Sequence, residues 1–104
     1  MNLYIDNDNL LSVTGLKNAS SGSYMNDATV TATLVDSTGT TVTGQTFPVT
    51  LSYVADTDGN YQATLEDALS LNEGSVYTAT ISATTSSGLS ASWQMTMKAI
   101  KRTA

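Results

Sequence analysis

Apolar and polar residues alternate with a period of two along most of the chain, and helical spacing is nowhere sustained, so the pattern predicts an all-β protein. The clearest strand covers residues 89–99, with Leu89, Ala91, Trp93, Met95, Met97 and Ala99 on one face. Ser90, Ser92, Gln94, Thr96 and Lys98 share the other. Residues 76–84 turn Tyr77, Ala79, Ile81 and Ala83 inward and join that strand through Thr85-Ser-Ser-Gly88, a hairpin loop whose glycine suits a positive φ. Residues 28–35 alternate in the same way, and Asp36-Ser-Thr-Gly39 reads as a turn. Residues 40–46 are expected as a short edge strand around Val42, weakened by Gly44. Phe47, Val49, Leu51 and Tyr53 form the next inward row, where Pro48, unable to donate to a central ladder, implies an edge position or a strand start. Asp56-Thr-Asp-Gly-Asn60 turns the chain into a strand with Tyr61, Ala63 and Leu65 inward, and the first strand is expected over residues 10–16, broken at Gly15.

About seven short strands with turn signals every 8–12 residues or so fit a two-sheet antiparallel β-sandwich, with a closed barrel as the alternative. The 104 residues suffice for one domain, residues 1–104. With no His and no Cys, the chain cannot build a Ser-His-Asp triad, a thiol nucleophile, a disulfide or the common type of zinc site. Only 12 % of residues are charged, and Ser and Thr fill roughly 30 % of positions, so the surface is polar but nearly uncharged. A net charge of −5 argues against nucleic acid. The first ten residues lack the basic and apolar regions of an export signal, and no segment is apolar enough to span a membrane.

Asp6-Asn7-Asp8-Asn9, and Asp56 with Asp58 and Asn60, place oxygen donors at alternate positions as calcium loops do. Asp67 stands at the twelfth position from Asp56, but the strand between them removes the loop, and turn chemistry accounts for both segments better. Glu66-Asp67 could serve a glycosidase only with a second carboxylate across a cleft, and few aromatics are present to stack on a sugar. The outward rows Thr29, Thr31, Thr33 and Thr78, Thr80 could meet a glycan or a neighbouring subunit, yet Thr is also simply a good strand residue. Asn18-Ala-Ser20 matches a glycosylation sequon without an export signal, and Met95 and Met97 read as core filler. No catalytic residue, metal site or cofactor is expected.

Two signatures narrow the sandwich. The stretch Leu71-Asn-Glu-Gly-Ser-Val-Tyr-Thr-Ala-Thr-Ile81 resembles the approach to strand F in immunoglobulin-like and fibronectin-like domains, which implies that Tyr77 closes a corner with its hydroxyl. Asp56-Thr-Asp-Gly-Asn-Tyr61 resembles the D-x-x-G-x-Y hairpin of bacterial and phage Ig-like modules, Gly59 making the turn and Tyr61 opening the next strand. Trp93 lies on the last strand, unlike the core tryptophan of antibody domains, and the antibody cysteine pair is absent. As a whole the chain resembles the small Ig-like proteins of tailed-phage virions. The resemblance implies a non-catalytic capsid accessory, head–tail connection or tail protein, made in the host cytoplasm and located in the virion. Its partners would be other virion proteins or itself, as a homo-oligomer when assembled, with no nucleic acid and no membrane. A carbohydrate- or surface-binding Ig-like module of a bacterial adhesin is the alternative. For contact, the sequence offers its ends: Leu3, Tyr4 and Ile5 in a possible docking segment 1–9, and Lys98, Lys101 and Arg102 in or beside a basic tail 100–104. Alternatively, residues 1–9 pair as an ordinary edge strand.

Overall fold

The structure is a computed structural model that describes residues 2–18, 21–86, 88 and 90–102. Its elements are all strands: β1 (Asn2–Tyr4), β2 (Asn9–Val13), β3 (Thr29–Val35), β4 (Val49–Tyr53), β5 (Tyr61–Leu65), β6 (Val76–Thr84) and β7 (Ser90–Ile100). They hydrogen-bond as one seven-stranded sheet in the order β1-β7-β6-β3-β4-β5-β2. β4 is the hinge of this sheet, because Val49, Thr50 and Leu51 pair with β3 while Ser52 and Tyr53 pair with β5. Leu11 and Leu65 from one end of the order share a core with Ile81 and Met97 from the other half and with Leu34 of the middle strand. The sheet therefore folds over on itself, nearly as a barrel, around a single cluster.

The period-two pattern explains the register. In β3 and β6, Ala32 lies opposite Ile81 and Leu34 opposite Ala79, so small residues face large ones across the ladder. A slip by one residue would turn Val30, Leu34 and Ile81 to solvent, and each such side chain contributes about 1.5–3 kcal/mol by its burial.

Four expectations need correction. The sheet is mixed, not antiparallel throughout, because β1 runs parallel to β7. Residues 40–46 form no strand: Thr41 makes an isolated bridge to Val35, and Val42 buries its side chain while donating its N–H to the Leu34 carbonyl at 3.0 Å. Gly44, at φ 105°, ends that stretch, since a Cβ there would collide with the Ala68 carbonyl. β4 starts immediately after Pro48, as the missing N–H requires, but it is an interior strand, and Tyr53 at its end is exposed with its hydroxyl on the Thr57 carbonyl. Trp93 is only half-buried, because β7 runs past the core and residues 90–92 expose both faces. Leu89, expected on the same inward row, lies outside the described residues, as do Ala19 and Ser20 of the sequon.

The 56–60 turn is tied down from three sides. Gly59, at φ 71°, approaches the neighbouring backbone so closely that a Cβ would lie 2.5 Å from the Leu16 nitrogen and oxygen. Its N–H donates to Asn26 Oδ1 at 2.7 Å, and its carbonyl accepts the Leu16 N–H at 2.9 Å. Asn60 Oδ1 accepts the Gly15 N–H at 2.9 Å, so one oxygen of the calcium-like trio is already committed to the turn.

Candidate docking site at the joined termini

The two ends that looked separate in the sequence lie side by side. Asn2, Leu3 and Tyr4 of β1 pair in parallel with Lys98, Ala99 and Ile100 of β7, and Ile5 extends the pairing by donating its N–H to the Ile100 carbonyl at 2.9 Å. The alternation of β1 then assigns each side chain. Leu3 faces inward and is fully buried in the core, so it offers a partner no surface, and its expected docking role is withdrawn. Tyr4 is half-buried and lies beneath the Arg102 guanidinium, whose central carbon stands 5.7 Å from the ring centroid. Ile5 packs partly against the core. Lys98, Lys101 and Arg102 are exposed. Tyr4, Ile100, Lys101 and Arg102 line an open groove of about 350 Å³.

Asn9, which the sequence offered only as an oxygen donor of a calcium-like run, holds this arrangement in place. It is 6 % exposed, and its side-chain oxygen accepts the Tyr4 N–H while its amide nitrogen donates to the Tyr4 carbonyl, both at 2.9 Å. One side chain thus satisfies the two backbone groups that Tyr4 would otherwise offer to a further strand. The same nitrogen also donates to the Asn7 carbonyl at 3.1 Å, which closes the turn into β2.

The tyrosines singled out in the sequence are structural. Tyr77 is buried, and its hydroxyl accepts the Asn72 N–H, five residues upstream, at 2.8 Å. Tyr61 is 1 % exposed, and its hydroxyl donates to the Met25 carbonyl at 2.5 Å and accepts the Ala28 N–H at 3.1 Å, tying the segment before β3 to β5. A second open groove, of about 330 Å³, lies between the 36–43 turn and residues 70–77 and is lined mainly by Ser and Thr hydroxyls. Asp36 at its rim accepts the Thr38 hydroxyl at 2.6 Å, the Thr38 N–H at 2.9 Å and the Thr40 N–H at 3.0 Å. The Thr38 hydroxyl first, and then the Thr40 N–H, hold its carboxyl below the ordinary carboxylate range. Among the described residues, no three acidic side chains converge as a metal site would need. No protein-family model, curated protein or solved structure matches the chain.

Proposed function

We propose that this chain is a non-catalytic structural protein that works by docking, an Ig-like β-sandwich of the kind built into tailed-phage virions. The observation that carries the reading is the placement of Lys101 and Arg102 around Tyr4 at one edge of the sheet, with Lys98 exposed near the end of β7, in a chain with only 4 basic residues. Three of the four basic residues thus lie at the end of β7 or just beyond it, and an acidic partner surface would be steered there. The Ig-like assignment is supported by the Tyr77 corner, by the switch of β4 between two neighbours and by the pairing of the first strand with the last. The adhesin alternative would use the hydroxyl-lined groove, but among the described residues the one aromatic along it, Tyr77, is 3 % exposed and presents no face for a sugar ring to stack on.

Mass spectrometry of purified virus particles from cells carrying the gene tests the reading. The protein is expected there at a fixed copy number. Lys101→Glu combined with Arg102→Glu is expected to lower its incorporation about fivefold or more while leaving the thermal midpoint of the free chain unchanged. A protein absent from the particles, and retained instead on cell-surface glycans, would overturn it.

A further inference from the structure

The edge of β7 is unprotected over most of its length. β1 covers only Lys98, Ala99 and Ile100, and among the described residues no strand pairs with the outer side of residues 90–96. Ala99 exchanges backbone hydrogen bonds with the 74–75 segment on the β6 side, whereas the Ile100 carbonyl accepts from Ile5 on the β1 side. By strand parity the N–H and C=O groups of Ser90, Ser92, Gln94 and Thr96 therefore point away from the molecule. Natural edges are usually blunted by a charge, a proline, a bulge or a covering loop. Residues 90–96, Ser-Ala-Ser-Trp-Gln-Met-Thr, carry no charge and no proline.

We propose that the occupant of this edge is the β7 edge of a second copy, paired antiparallel about a twofold axis at Trp93. This deepens the docking reading and rests on it in taking assembly as the chain's role. The register is dictated by the sequence. With the axis at Trp93, Ser90 faces the partner's Thr96 and Ser92 the partner's Gln94, so outward-pointing backbone groups meet outward-pointing ones. On the inward face the half-buried Trp93 meets its own counterpart, and exposed Ala91 lies opposite the half-buried Met95, small against large. The apolar row that runs past the core is thereby covered. Charge agrees as well: the paired stretch 90–96 holds no charged residue, and Lys98, already paired with Asn2 of β1, stays outside it. Length agrees too. The free edge begins at the hairpin and ends where β1 begins, so each copy presents the same stretch of roughly 23 Å, at about 3.3 Å per residue.

Sedimentation velocity of the full chain from about 1 µM to 1 mM tests this, with far-ultraviolet circular dichroism confirming that each variant is folded. The wild-type chain is expected to dimerise. Gln94→Pro removes an N–H that faces away from β6, so the fold is kept while the dimer weakens about tenfold or more. Ser92→Lys with Gln94→Lys is expected to be monomeric, as is Ser92→Glu with Gln94→Glu, and mixing the two is expected to restore a dimer. A wild-type chain that stays monomeric across this range overturns the inference, and particle incorporation then decides the docking reading independently. Self-association that survives folded Gln94→Pro, or that grows into open-ended chains, also overturns it, while leaving assembly through another surface.

Discussion

At the scale of single residues, two tyrosine hydroxyls and one carboxylate do separable work. Among the described residues, Tyr61 both donates to Met25 and accepts from Ala28, whereas Tyr77 accepts from Asn72 alone. Tyr77→Phe should therefore cost about 1 kcal/mol, the loss of one hydrogen bond with the ring still packed. Tyr61→Phe should cost more, roughly 2–3 kcal/mol, because it strands a carbonyl and an N–H together. Urea midpoints check the order, and equal losses would contradict the assignment. Asp36 gives the acid-side prediction. Its folded pKa lies below the unfolded one, so the stability it contributes is present above the unfolded value and is lost as pH falls through the folded value. A nuclear magnetic resonance titration should place its inflection below that of an aspartate in the unfolded chain, and Asp36→Asn should flatten that part of the pH–stability curve. An inflection at the unfolded value would show that the Thr38 and Thr40 hydrogen bonds do not hold in solution.

At the scale of elements, the alternation of apolar and polar residues located most strands. The bounds of β5 and β6 follow directly from it, since both strands turn every second residue inward, Ala63 only partly buried, and end at turn sequences. Where the sequence misled, the deciding contact was distant. Residues 40–46 have strand-like composition, but Gly44 must pass against Ala68, and no local pattern reports that collision. Trp93 alternates correctly, yet how much of it is buried depends on where the core ends beneath β7. Trp93→Ala should consequently cost roughly 2 kcal/mol, short of the 3–5 or so typical of an enclosed aromatic, and Ser92→Ala within about 0.5. β1 was hardest to foresee, because three residues pair in parallel with the far end of the chain and are held there by a side chain on β2. Asn9→Ala should cost about 2 kcal/mol or more by leaving both Tyr4 backbone groups without partners, and amide exchange should quicken first at Asn2–Tyr4. Uniform acceleration across all strands would mean that Asn9 supports the whole core and not β1 in particular.

At the scale of the whole molecule, one sheet folded around one core leaves a few open surfaces. The candidate site was half legible: Tyr4, Ile5 and the three cations could be named from the sequence, while their meeting at one edge depended on the parallel β1–β7 pairing. Leu3 belonged to the same apolar trio, and the alternation of a strand too short to recognise sent it inward. The cationic groove and the bare edge of β7 are continuous along one strand, so docking and self-pairing would engage the same side of the molecule without overlapping. Hydrogen–deuterium exchange of the free chain against the assembled one tests this most directly. The account predicts slowed exchange within residues 90–102, strongest at the outward-facing amides of Ser92, Gln94 and Thr96, with the 36–43 turn unchanged. Protection centred on that turn and its hydroxyl-lined groove, with residues 90–102 exchanging as in the free chain, would contradict it.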